Sequence, residues 1–70
     1  MSGKRAVVTG ASTGIGWAAV ALLRKRGWEV TGVARRAERL ERLASETGAD
    51  VFAADLTRED EVEALRDHLA

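Results

Sequence analysis

Along this chain the spacing of apolar residues alternates between runs that suit strands and repeats that suit helices. Arg5-Ala6-Val7-Val8-Thr9 is short and apolar enough for a strand buried on both faces. Residues 14–26 then carry Ile15, Ala18, Ala19, Leu22 and Leu23, the i, i+3, i+4, i+7, i+8 spacing of a helix laid on a sheet. That stripe is expected to face inward. Gly27 ends the repeat, with Arg24, Lys25 and Arg26 placed against the negative end of the helix dipole. Residues 28–34 form a second strand, alternating at first and then apolar. A second helix is expected over residues 36–47, with Ala37, Leu40, Leu43 and Ala44 inward and Gly48 as its C-cap. A third strand follows over residues 50–54. Thr57 suits the N-cap of a last helix, with Glu59 and Asp60 in the first turn and an apolar line through Val62, Leu65 and Leu69.

Strands alternating with helices through short connections call for a parallel sheet with right-handed crossovers. The expected class is α/β, a three-layer βαβαβα unit with a three-stranded parallel sheet, part of a doubly wound fold. In the doubly wound order 3-2-1-4 the first strand is central, yet the 70 residues contain no fourth strand. One edge of residues 5–9 is therefore expected to be free, and self-association through it is expected. The length permits one small domain, residues 1–70, with a thin core.

Composition narrows the partners. Eleven basic and eleven acidic side chains cancel, so the basic excess that nucleic acid or an anionic membrane requires is missing. No apolar run approaches the ~20 residues needed to span a bilayer. The basic flank Met1-Ser2-Gly3-Lys4-Arg5 has no secretory apolar segment behind it. Cysteine is absent, which removes disulfides and thiolate metal sites and makes a reducing cytoplasm the expected setting. No metal ligand set is expected. His68, near the end of the last helix, reads as a solvated side chain favoured by the dipole.

The chemistry-bearing pattern is Thr9-Gly10-Ala11-Ser12-Thr13-Gly14-Ile15-Gly16, a glycine-spaced turn between the first strand and the first helix. Such a turn aims backbone N–H groups and the positive end of a helix dipole at one small volume, which suits pyrophosphate. Glycines at Gly10, Gly14 and Gly16 would also serve a tight turn alone. Context favours the nucleotide: small residues follow at Ala18 and Ala19, and a ribose-reading position lies about 20 residues further on, at the end of the second strand. There stand Arg35 and Arg36. An acidic residue would accept from a free ribose 2′-OH, whereas paired guanidinium groups suit a 2′-phosphate. Two solvated arginines are the alternative, but cations at a helix start call for a compensating anion. NADP is favoured over NAD. Asp55 and Leu56, after the third strand, suit an acceptor for an adenine amine and a cover for the ring; a simple loop Asp before a capped helix is the alternative.

With these residues in view, TGASTGIG over residues 9–16, VARR over 33–36 and ADL over 54–56 resemble the amino-terminal third of the short-chain dehydrogenase/reductase family. The resemblance covers essentially the whole chain. It implies the amino-terminal half of a Rossmann NAD(P)-binding domain, with Gly10, Ser12, Thr13, Gly14, Ile15 and Gly16 on the pyrophosphate, Arg35 and Arg36 on the 2′-phosphate, and Asp55 and Leu56 beside the adenine. It also implies an oxidoreductase. The family's catalytic residues, an Asn-containing turn, a Ser and a Tyr-x-x-x-Lys pair, lie further along, and this chain has no Tyr and no Asn. No catalytic residue is assigned, and the chain alone is expected to be inactive and truncated. Two other functions are consistent with the residues: a non-catalytic nucleotide-binding module, and a self-associating structural mini-domain with an unoccupied turn.

Overall fold

In a computed structural model that describes residues 4–70, a parallel sheet is sandwiched between unequal helical layers. Met1, Ser2 and Gly3 of the basic flank lie outside the described residues. The elements are β1 (Arg5–Thr9), α1 (Gly14–Lys25), β2 (Glu29–Ala34), α2 (Ala37–Thr47), β3 (Asp50–Ala53) and α3 (Glu59–Leu69). The strand order is β1-β2-β3, with Val7 opposite Thr31 and Val33 opposite Phe52. β2 is therefore the middle strand, and alternation along it feeds two cores. Val30 and Ala34 join Ala11, Val20, Leu40 and Leu43 beneath α1 and α2, while Val33 joins Ala54 and Leu65 beneath α3.

Most element boundaries agree with the residue pattern to within one position. The one-position differences and the cap assignments have local causes. Trp28 precedes β2 because its N–H donates to the Leu23 carbonyl at 3.0 Å, tying it to the end of α1. Arg36 is the N-cap of α2, not its first residue, and makes no side-chain cap bond. Gly48 does cap α2, at φ +76°, a conformation that favours glycine. Thr57 does not cap α3: Arg58 holds that position, and the Thr57 hydroxyl is engaged with Asp55 instead.

A larger correction concerns the face of α1. Ile15 is 88% exposed and Leu22 52% exposed, and Ala18 is also exposed. The inward face is one position further on, through Gly16, Val20 and Leu23. The reason is a close approach. Gly16 rests directly on the backbone of Gly10 and Ala11, and Gly32 of β2 leaves room for Leu43 and Ala11, with Val20 alongside. Only the glycine-bearing side of α1 can come that near.

Arg24 ties the layer together from the rim, donating from Nε to the Thr47 carbonyl at 3.2 Å and from Nη1 to the Trp28 carbonyl at 2.9 Å. The opposite layer is thinner. α3 buries Leu65, half-buries Leu69, and is clasped at its end by His68, whose Nε2 lies 2.6 Å from Asp50 Oδ2. Thr31 donates to the same oxygen at 3.2 Å, and the His68 ring rests 4.7 Å from that of Phe52. His68 is thus a docked residue and not simply a solvated one. β1 is an edge strand, and Val7 on its α3-side face is 47% exposed.

Candidate functional site

The carboxyl ends of all three strands open into one cleft of about 620 Å³, within the usual size of a small-molecule site. Its floor is Val33, Ala34 and Ala54; its walls are the glycine turn, the start of α2, and the segment after β3. Ligands of open parallel sheets sit at this end because the loops diverge there.

The glycine turn is fixed by its own backbone. Gly10 takes φ +67°, which lets the chain reverse so that the Thr13 N–H donates to the Gly10 carbonyl at 3.0 Å. Ala11 N–H donates to Val33 O at 3.1 Å and pins the turn to β2. Thr13 is the N-cap of α1: its hydroxyl donates to the Gly10 carbonyl at 2.8 Å and accepts from the Gly16 N–H at 3.4 Å. That side chain is consumed by the turn. The amides of Ser12, Gly14 and Ile15 have no acceptor among the described residues, and those of Gly14 and Ile15 begin a helix, where an anion satisfies them.

Opposite the turn, Arg35 directly follows β2 and Arg36 stands at the N-cap position of α2. Arg39, on the first turn of α2, lines the same cleft. Among the described residues none of these three guanidinium groups has a carboxylate within ion-pair distance, although Arg42 pairs with Glu46 and Arg58 with Asp60 and Glu61. Arg39 escaped the reading of the residues. Its signal was available: it stands four positions after Arg35 and three after Arg36, the spacing that shares a helix face.

On the third wall, Asp55 Oδ1 accepts from the Thr57 hydroxyl at 2.7 Å and from the Thr57 N–H at 3.0 Å. The Asp55 N–H donates to Glu61 Oε1 at 2.7 Å, which ties this wall to α3. The Thr57 hydroxyl holds the Asp55 carboxyl below the usual carboxylate range, with the Thr57 N–H and then the charges of Arg35 and Arg58 acting the same way against a small desolvation. Leu56 is half-exposed at the lip.

Of the ten residues expected at a nucleotide, the cleft brings together Gly10, Ser12, Thr13, Arg35, Arg36, Asp55 and Leu56. Gly14 and Ile15 stand exposed at the start of α1 and do not line it. Gly16 is buried under the turn and supports it from below.

Residues 4–70 match the short chain dehydrogenase family. The chain belongs to that family. Among relatives, an uncharacterized oxidoreductase of Mycobacterium tuberculosis is 50% identical over 58 residues, which are 83% of this chain and 23% of that protein. Serine 3-dehydrogenase of Agrobacterium fabrum is 48% identical over 59 residues, covering 81% of this chain and 24% of the relative. This short-chain dehydrogenase sequence thus spans about a quarter of the length of these relatives. Among solved structures, a metagenomic short-chain oxidoreductase in complex with NADP superposes with a TM-score of 0.89 at 36% identity, over 99% of this chain and 34% of that one. A short-chain dehydrogenase/reductase from Mycobacterium marinum gives 0.88 at 36% identity, over 96% and 29%. The α/β Rossmann-like fold expected from the residues is the observed one. Among the described residues no helix is long and apolar enough to cross a membrane.

Proposed function

We propose that the cleft binds NADP(H), as the coenzyme-holding portion of an oxidoreductase that moves a hydride between coenzyme and a carbonyl or alcohol substrate. The observation that carries this reading is that Arg35, Arg36 and Arg39, without acidic partners among the described residues, share a cleft with a glycine turn whose amides are unused among those residues. The Ser12 amide of the cleft, together with the Gly14 and Ile15 amides at the start of α1 outside its lining, would take the pyrophosphate, the arginines the 2′-phosphate, and Asp55 with Leu56 the adenine. The coenzyme, when bound, supplies the hydride; these residues hold and orient it and neutralise its charge. The absence of cysteine suits a reducing, cytoplasmic setting. Isothermal titration of the chain with NADP⁺ and NAD⁺ is the test. NADP⁺ is expected to bind at least about tenfold tighter, the effect of one charge-assisted contact to the extra phosphate. Equal affinities would remove the 2′-phosphate assignment, and no binding of either would remove the nucleotide reading.

A second reading is favoured by the free edge of β1 with Val7 beside it and by the exposed Ile15 and Leu22 of α1. Unpaired strand edges and exposed apolar side chains promote pairing of copies. Sedimentation at high micromolar concentration should show dimers or larger species. A single monomeric boundary across the concentration range would eliminate it.

A further inference from the structure

The segment after β3 holds an arrangement that coenzyme binding alone does not require. Asp55 lines the cleft, yet its Oδ1 is engaged twice, by the hydroxyl and by the N–H of Thr57. Oδ2 has no partner among the described residues. The Asp55 N–H is in turn fixed by Glu61 of α3. The carboxylate is therefore held by one oxygen, and the other is unpartnered among the described residues, on a side chain that lines the cleft. Thr57 is exposed, its N–H is already used, and it caps no helix, so the hydroxyl has no other structural task among the described residues.

We propose that Thr57 is a positioning residue for base recognition: by anchoring Asp55 Oδ1 it presents Oδ2 as the acceptor for the exocyclic amine of adenine. This rests on the coenzyme reading above and goes a step beyond it, to how the base is distinguished. A carboxylate accepts and cannot donate. It is matched to the 6-amino group of adenine and mismatched to the 6-oxo group of hypoxanthine, where two acceptors would face each other. Discrimination depends on the carboxylate being both oriented and ionised. The Thr57 hydroxyl serves both, since the bond that orients Asp55 also keeps its proton affinity low.

The experiment titrates the full chain with NADP⁺ and with its hypoxanthine analogue, for the unaltered protein, Thr57→Val and Thr57→Ser, from pH 8 down to below the usual carboxylate range, where the lowered Asp55 takes up its proton. The unaltered chain should prefer NADP⁺ about tenfold, as expected for one hydrogen bond to a charged acceptor. Thr57→Val, which keeps the shape and removes the hydroxyl while the backbone N–H bond to Oδ1 remains, should cut that preference to within about threefold by loosening the carboxylate's anchor. Thr57→Ser should restore it. The preference should disappear as Asp55 takes up a proton on the acid side. That midpoint should lie at higher pH in Thr57→Val, because the hydroxyl bond that does most to lower the Asp55 pKa is gone; a hydroxyl that only braced the loop would shift the midpoint but leave the preference for adenine unchanged. Circular dichroism confirms that each variant is folded. Binding of neither dinucleotide by the unaltered chain overturns the coenzyme reading and this inference with it. Equal binding of both overturns the role of Asp55 while leaving the phosphate site standing. An unchanged preference in Thr57→Val overturns the role of Thr57 alone, whatever the midpoint does.

Discussion

Replacing Gly16 by alanine is expected to cost this chain about 3 kcal/mol or more, the upper range for forcing extra volume into a packed site. A Cβ built at Gly16 would run into the carbonyl of Gly10, with the Gly10 carbonyl carbon at 2.9 Å and Ala11 Cα at 3.0 Å. All three obstacles are backbone, so no side chain can swing aside. Relief requires α1 to lift from the turn, which would strip cover from Ala11 and Val20. Domains of this size have stabilities of only several kcal/mol, at about 0.05–0.15 kcal/mol per residue. A loss of that magnitude should lower the melting temperature by more than about 12 °C at about 4–8 °C per kcal/mol. Gly14 provides the control. It begins α1 without positive φ, and an added Cβ there would meet nothing within 4 Å, so Gly14→Ala should melt within about 1 kcal/mol of the unaltered chain. Thermal unfolding followed by circular dichroism compares the two, and a Gly16→Ala melting curve that overlays the unaltered one would refute the close-approach account.

The same close approach explains which parts of the fold were legible in the residues. α2 is interrupted by Glu38, Arg39, Glu41, Arg42 and Glu46, so its inward line through Leu40 and Leu43 admits little choice. α1 is different: residues 17–23 are all apolar, and such a helix has no polar face to identify its outside. Spacing selects Ile15, Ala18, Ala19, Leu22 and Leu23, whereas the geometry of the Gly10–Gly16 contact turns Gly16, Val20 and Leu23 inward, so Leu23 is common to both while Ile15, Ala18 and Leu22 are left exposed. A glycine is invisible to a hydrophobic period, although here it sets the helix orientation. Thr57 was ambiguous for another reason. A threonine before an acidic first turn satisfies the N-cap pattern, yet its hydroxyl found the nearer acceptor on Asp55. The pairing of His68 with Asp50 spans 18 positions and depends on α3 crossing to the other face of the sheet, which no local pattern encodes. Strand ends and the turn carried their positions openly. The cleft's glycine, arginine and aspartate residues were legible for that reason, while Arg39 required combining a helix start with a three- and four-residue spacing.

Arg35→Ala should weaken NADP⁺ binding about tenfold to a hundredfold, the loss of one charge-assisted contact to a phosphate, and leave NAD⁺ binding within about twofold. Arg36→Ala and Arg39→Ala should act in the same direction, each by less where the guanidinium stands further into solvent and is screened. Their effect on the protein without ligand should have the opposite sign. Arg36 sits at the N-cap of α2 and Arg39 in its first turn, where cations oppose the helix dipole. No carboxylate within ion-pair distance offsets either of them among the described residues. Removing one should therefore leave the free chain as stable or more stable, by up to about 0.5 kcal/mol at low salt. Added NADP⁺ at about 100 times its dissociation constant should raise the stability of the unaltered chain by about 2.7 kcal/mol. At that same concentration the variants should gain less. Raising ionic strength should shrink both effects together, because both arise from exposed charge. A gain in stability joined to a loss of NADP⁺ affinity is what residues kept for an anion produce. Parallel losses for NADP⁺ and NAD⁺ would instead mean that the arginines maintain the shape of the cleft and do not recognise the phosphate.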